Sequence, residues 1–93
     1  MIDLKTFENV GSEEFLEMIE GLTEKEQAVL MVLRGEDGTE PRTHEEAGRE
    51  LGIPAEEVRQ IETKALETME RLYSGWRQGK FVLIHKDGTR EEF

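Results

Sequence analysis

The sequence predicts a small, mainly α-helical domain of four helices followed by a short C-terminal β-hairpin. Apolar residues recur at helical spacing in four consecutive segments, and glycine or proline residues separate those segments. The end of the chain differs, because a run of apolar and β-branched residues precedes an Asp-Gly pair there. A length of 93 residues fits one domain with one core.

Capping residues predict where the first two helices begin. Ser12 can cap a helix with two glutamates in its first turn, and Gly21 ends that helix. Thr23 and Glu26 have the spacing of a capping box, in which each side chain bonds the other residue's backbone N–H, so a second helix follows Thr23. Residues 35–41 contain two glycines and a proline and are predicted to form a loop.

Two further helices, joined by a tight turn, predict a helix-turn-helix unit. Thr43 opens the third helix with Glu46 three residues later, and Gly52 closes it. Pro54 suits the first turn of a fourth helix of about five turns. The buried face of this helix is predicted to consist of Val58, Ile61, Ala65, Leu66, Met69 and Leu72. The second helix of such a unit can enter the major groove of DNA, but spacing alone supports plain packing of the pair equally well.

The tail is predicted to form a hairpin. Residues 80–86 form one strand, Asp87-Gly88 a two-residue turn, and residues 89–93 the returning strand. An isolated hairpin is only marginally stable, so we expect it to lie on the helical body with Trp76 as a wedge. The alternative is an edge strand offered to a partner. The chain thus divides into an N-terminal segment (1–11), a helical domain (12–72) and a tail (73–93).

Composition and charge limit the function classes. The chain has 12 Lys and Arg against 22 Asp and Glu, a net charge of -10, and nucleic-acid phosphates would repel such a protein. It lacks cysteine and any apolar run that could span a membrane, which favours a cytoplasmic protein without membrane contact. No catalytic set, small-molecule site, cofactor site or metal site is recognisable, and His44 is expected to be an ordinary surface histidine. An enzyme is the weakest hypothesis.

Four stretches of the sequence carry a family resemblance. They are residues 21–30 (GLTEKEQAVL), 37–48 (DGTEPRTHEEAG), 50–53 (ELGI) and 56–66 (EEVRQIETKAL). Together they resemble region four of bacterial primary-type sigma factors, and the likeness covers residues 14–72. In that family, region four binds the upstream (minus-thirty-five) promoter element with its last helix and the flap-tip helix of the RNA polymerase beta subunit with its earlier helices.

The resemblance implies a set of DNA-binding residues. Glu56 and Gln60 would contact bases, and Arg59 would contact a base or a phosphate. These residue types suit that task, because glutamine can pair with adenine and glutamate can accept from cytosine. The implied contacts to the sugar-phosphate backbone are Lys25, Thr43 and Lys64. The alternative is a solvated helix face on which Arg59 pairs with Glu62, and Lys64 pairs with Glu67 or Glu57.

Departures from the family pattern weaken the expected DNA binding. Ala55 and Glu57 stand where arginines are usual, so one cationic contact is lost and another becomes a repulsive carboxylate. Arg34 and Glu36 stand where an aromatic residue and a leucine are usual, and His44 where a leucine is usual.

The resemblance also implies a surface for RNA polymerase. The early helices carry more apolar side chains than we expect one small domain to bury, which predicts an exposed groove for the beta flap. The predicted partner-binding residues are Phe15, Ile19, Val29, Val32 and Leu33. The predicted function is therefore transcription regulation or initiation through the beta flap, with promoter DNA as a weakened second partner.

The rival hypothesis is an acidic protein-interaction adaptor, of the anti-sigma or sigma-competitor type, that keeps the helix-turn-helix scaffold without reading DNA. A complete sigma factor needs a further region that binds the polymerase clamp, for which this chain has no room. The chain is then either a fragment or a small protein that depends on other factors.

Overall fold

The computed structural model of the protein describes residues 2–35 and 40–93. The helices are α1 (Ser12–Met18), α2 (Glu24–Arg34), α3 (His44–Leu51) and α4 (Ala55–Leu72). The strands are β1 (Tyr73–Ser74), β2 (Val82–Ile84) and β3 (Arg90–Glu92), which form one antiparallel sheet in that order. The predicted fold class is confirmed. Of the predicted loop 35–41, residues 36–39 lie outside the described residues.

Two capping boxes set the starts of α2 and α3, as predicted. The Thr23 hydroxyl accepts the backbone N–H of Glu26 at 3.2 Å, and the Glu26 carboxylate accepts that of Thr23 at 3.0 Å. Thr43 and Glu46 make the same pair of bonds at 3.1 and 3.0 Å. Each box satisfies two N–H groups that a helix N-terminus would otherwise leave unpaired.

The predicted bounds of the first helix are wrong at both ends. Gly11 occupies the capping position without a side-chain bond, and Ser12 is the first residue of α1. The helix ends at Met18 rather than Gly21. The reason lies in packing, because Met18 and Ile19 are both buried and the chain turns there to reach α2.

In the turn between α3 and α4, the backbone at Ile53 lies close to the backbone of Gly48 in α3. Gly52 ends α3 with a φ of 74°, and Pro54 lies in extended backbone as the N-cap of α4 rather than within its first turn. The Ile53 N–H donates to the Gly48 carbonyl at 3.0 Å. A Cβ on Gly48 would lie 2.6 Å from the Ile53 carbonyl oxygen, so this approach requires a glycine.

Two apolar clusters form the core. The small cluster joins α2, α3 and α4 around Val29, Leu33, Ala47 and Val58. The large cluster joins the N-terminal segment, α1, Leu30 of α2, the C-terminal half of α4 and the sheet. Its largest fully buried members are Phe7, Phe15, Met18, Ile19, Leu30 and Met69.

The N-terminal segment belongs to this core. Residues Leu4–Phe7 form a 3-10 helix that Asp3 and Thr6 cap reciprocally. Phe7 is fully buried and lies between two other rings, 5.5 Å from Phe15 in an edge-on arrangement and 5.1 Å from Phe81 in a stacked one. Such aromatic pairs add to the stabilisation that burial alone provides. Ile2, Phe7 and Val10 of the N-terminal segment thus pack in the large cluster.

The C-terminal sheet rests on the helical body, as predicted. Phe81 is buried, and Trp76 packs against the large cluster while half-buried. The sequence did not predict β1, in which Tyr73 pairs with Leu83. Tyr73 fixes this strand to the helical body in two ways. Its side chain is buried, and its hydroxyl donates to the Met18 carbonyl at 3.0 Å.

The predicted two-residue turn is wrong. The Gly88 N–H donates to the His85 carbonyl at 3.0 Å, and the His85 N–H donates to the Thr89 carbonyl at 2.9 Å. The bond between His85 and Thr89 therefore closes a loop of three residues, 86–88, and among them only Gly88 has a positive φ, 89°. This is a type I turn followed by a left-handed glycine, one of the common three-residue hairpin loops.

Candidate nucleic-acid interface

The helix-turn-helix unit exposes one side of α4. Glu56, Arg59 and Gln60 are exposed, and together with Thr63, Lys64 and Glu67 they line a shallow open depression of about 640 Å³. The opposite side of the helix is buried through Val58, Ala65, Leu66 and Met69. Four of the six predicted DNA-binding residues therefore share one accessible face: Glu56, Arg59, Gln60 and Lys64.

The other two predicted DNA-binding residues lie at helix starts. Thr43 caps α3, and its oxygen already accepts the Glu46 N–H. The Thr43 backbone N–H donates to the Glu46 carboxylate at 3.0 Å and, with a smaller contribution from the Thr43 hydroxyl, lowers the pKa of that carboxyl. Lys25 lies in the first turn of α2, beside α4.

Lys25 is engaged by a residue that departs from the family pattern. Its Nζ lies 3.0 Å from a carboxylate oxygen of Glu57, and the two side chains are 58% and 39% exposed. An acid thus pairs with one predicted phosphate contact at a position where the family usually has an arginine. The bond joins the first turns of α2 and α4.

The alternative pairings on the solvated face do not form as predicted. Arg59 approaches Glu45 of α3 at 3.9 Å rather than Glu62, and both side chains are more than 60% exposed. Within residues 2–35 and 40–93, neither Glu57 nor Glu67 pairs with Lys64. An exposed pair at 3.9 Å contributes little, so the guanidinium of Arg59 stays accessible.

Glu62 binds His44 instead, and this contact joins the two helices of the unit. The His44 Nε2 and a Glu62 carboxylate oxygen are 2.9 Å apart, with side chains 31% and 20% exposed. His44 was predicted to be an ordinary surface histidine, whereas it is half-buried and holds α3 against α4.

Across the described part of the chain, no group of three or more potential metal ligands occurs.

The predicted exposed groove for a partner is wrong. Phe15 and Val29 are fully buried, and Ile19 and Leu33 are 1% and 5% exposed. Of the predicted partner-binding residues, Val32 alone keeps partial exposure, and its other side packs on the small cluster.

The chain's own ends cover Phe15 and Ile19, whereas Val29 and Leu33 are buried between α2, α3 and α4. Phe7 and Phe81 lie in the same cluster as Phe15 and Ile19. Arg34, which stands where the family usually has an aromatic residue, places its guanidinium carbon 4.2 Å from the centre of the Phe15 ring and donates to the Val10 carbonyl. The helical repeat identified the apolar face, but it could not indicate that distant segments of the chain would cover it.

No helix among the described residues is both long enough and apolar enough to cross a membrane.

Comparisons with known proteins point to one family. The family model described as Sigma-70, region 4 matches residues 18–70. Over 57 residues the chain is 40% identical to the RNA polymerase sigma factor SigA of Listeria monocytogenes, and equally to those of Listeria innocua and Clostridium acetobutylicum. The match covers 61% of this chain but only 15% of each relative. No solved structure matches.

Proposed function

The chain belongs to the sigma-70 region 4 family and is a sigma-type transcription module, and from this we propose that it places the exposed face of α4 against promoter DNA while RNA polymerase holds the domain. One observation carries the proposal. Glu56, Arg59 and Gln60 share the accessible face of the second helix of a helix-turn-helix unit, and this helix is the one that enters the major groove in such units.

The chemistry of this face suits base recognition. Arginine can donate two hydrogen bonds to guanine, glutamine can bond adenine, and glutamate can accept from the cytosine amino group. Arg59 and Gln60 are exposed near the N-terminal end of α4, where helices of this kind contact base edges. Lys64, one turn further, supplies a cation for a phosphate.

The DNA proposal is tested with the full chain and a fluorescent promoter duplex carrying a minus-thirty-five element. The paired change Arg59→Ala and Gln60→Ala should weaken binding to this duplex about 30-fold or more, since each good base contact contributes about 1 to 3 kcal/mol. Binding to a scrambled duplex should weaken less. Arg90→Ala is the matched control, because it removes an exposed cation from β3. Equal loss on both duplexes, or none, would overturn base recognition by α4.

We also propose that the polymerase contact is the beta flap, as the resemblance implies. Val32 supports this placement because it is apolar, half-exposed and on α2. Val32→Glu should abolish capture of the chain by an immobilised flap segment, whereas Val32→Thr, which keeps the shape, should retain most of it. Circular dichroism and thermal melting check both variants for folding. Undiminished capture of a folded Val32→Glu variant would refute a flap contact at α2.

The acidic adaptor is the second candidate, and the Lys25–Glu57 pair is the observation that favours it. This pair neutralises one predicted phosphate contact, and the chain carries a net charge of -10. Retention on DNA-cellulose at low salt separates the candidates when it is combined with capture by the flap segment. Flap capture without DNA retention would support the adaptor.

A further inference from the structure

A cationic groove lies between the start of α2 and the C-terminal half of α4. It has a volume of about 380 Å³ and is lined by Thr23, Lys25, Glu26, Ile61, Lys64, Thr68 and Arg71. Three of these residues are cations and one is an acid, although the chain as a whole has nearly twice as many acids as cations. The carboxylate of Glu26 is committed to the Thr23 backbone N–H at 3.0 Å. Lys25 is paired with Glu57, so Lys64 and Arg71 are the cations that make the groove locally positive on an acidic protein.

The two cations that α4 contributes to the groove, Lys64 and Arg71, lie on one line along the helix. Ile61, Lys64, Thr68 and Arg71 are spaced by three, four and three residues, which places them on one stripe. At a rise of about 1.5 Å per residue, Lys64 and Arg71 are roughly 10 Å apart along the axis. Successive phosphates of one DNA strand advance about 3.4 Å along the duplex. The stripe is long enough to follow more than one of them.

Contacts within the stripe position the guanidinium of Arg71. The Thr68 hydroxyl donates to the Lys64 carbonyl at 3.0 Å, and Arg71 Nη2 donates to the Thr68 oxygen at 3.3 Å. Within the described ranges, 2–35 and 40–93, no carboxylate forms an ion pair with Lys64 or Arg71. Both cations thus keep their charge available, although carboxylates outnumber cations in the chain.

We propose that this groove seats the sugar-phosphate backbone of DNA, so that the contact surface continues from the base-facing side of α4 to Arg71. The inference rests on the proposed DNA contact and extends it to Arg71, which Thr68 positions. Lys64 supplies the continuity, since it lines both the base-facing depression and the groove. Two unpaired cations, one of them positioned by the Thr68 hydroxyl, are suited to phosphate oxygens.

The test measures the salt dependence of DNA binding by the full chain. The logarithm of the association constant falls with the logarithm of the salt concentration by about 0.9 per phosphate contact. Arg71→Ala should reduce that slope by about 0.9 and weaken binding several-fold, to the same extent on promoter and scrambled duplexes. Arg71→Lys should restore most of the slope. Arg90→Ala, with the same change in charge, should change neither value.

The outcomes separate this inference from the function on which it rests. If Arg59→Ala with Gln60→Ala removes promoter preference while Arg71→Ala behaves like Arg90→Ala, α4 reads DNA but the groove does not hold its backbone. If all these variants bind like the parent, both proposals fail. Poly-L-glutamate serves as an acidic peptide probe. If Arg71→Ala weakens binding to this polymer but not to DNA, the groove is a site for acidic protein segments and the inference is overturned.

Discussion

Replacing Glu57 by glutamine should strengthen DNA binding, and the Lys25–Glu57 contact explains why. The Lys25 ammonium lies 3.0 Å from the Glu57 carboxylate, so its charge is compensated within the protein. A neutral glutamine at residue 57 releases Lys25 for a phosphate. It also removes an acid from the first turn of α4, where DNA would approach.

The size of the effect follows from these two changes. One added phosphate contact should steepen the salt dependence by about 0.9. A unit charge about 4 Å from another in water contributes about 1 kcal/mol, so removal of the repulsion should raise affinity about fivefold at low salt. Folding should change little, because both side chains are open to solvent in part and surface pairs of this kind contribute about 0 to 1 kcal/mol.

Fluorescence anisotropy of a promoter duplex across a potassium chloride series measures both quantities. Glu92→Gln is the control, since it makes the same change on the exposed β3 strand. Combining Glu57→Gln with Lys25→Met should cancel the change in slope, because the released cation is then absent. The paired change Ala55→Arg and Glu57→Arg should raise affinity tenfold or more and steepen the slope by about two. An affinity and slope equal to the parent's for Glu57→Gln would show that this end of α4 does not face DNA.

Three predictions concern stability. Leu66→Ala should lower the free energy of unfolding by about 2 to 5 kcal/mol, because Leu66 lies in the large cluster; an unchanged urea midpoint would contradict its place in the core. Gly48→Ala should lower the melting temperature, since its Cβ would collide with the Ile53 carbonyl, and melting equal to the parent's would count against the close turn. Burial raises the pKa of Tyr73 to about 12, with smaller contributions from the negative charges of Glu91 and Glu17. Because this is above the unfolded value of about 10, its contribution is complete below pH 10 and is lost as the pH rises from about 10 to 12. Tyr73→Phe should flatten this alkaline decline in urea unfolding, and a decline as steep as the parent's would assign it to other groups.

Local sequence signals predicted the helical elements well because the interactions that set them are local. The boxes at Thr23 and Thr43 each involve two residues three apart, so the sequence contains the whole interaction. The buried stripe of α4 follows from the helical repeat in the same way. Four of the predicted DNA-binding residues share a face for this reason too, since Glu56, Arg59, Gln60 and Lys64 are on one helix.

Contacts between distant segments were the part that could not be predicted. Phe7 packs between Phe15 and Phe81, and no local pattern states that the two ends of the chain meet over α1. The Lys25–Glu57 pair spans 32 positions and was missed for the same reason. The prediction of the hairpin turn was wrong for a different reason. An Asp-Gly pair suits both a two-residue turn and a three-residue loop, and the strand register decides between them.

Net charge alone does not exclude the DNA contact, because a phosphate responds to charges within about 8 Å at physiological salt. The charges that matter for this contact are therefore those on α4 itself. The carboxylate of Glu62 contacts His44 and that of Glu57 pairs with Lys25. Lys64 has no ion-pair partner in the described part of the chain, although Glu56 and Glu67 line the same depression and oppose DNA there. Binding by the isolated domain should still be weak. A domain held by polymerase at an effective concentration of about 1 mM would occupy its site about nine-tenths of the time even with a Kd of about 100 μM. Promoter occupancy by this domain should therefore depend on the polymerase contact. Loss of that contact through Val32→Glu should abolish promoter binding in the assembly while leaving the Kd of the isolated domain for DNA unchanged.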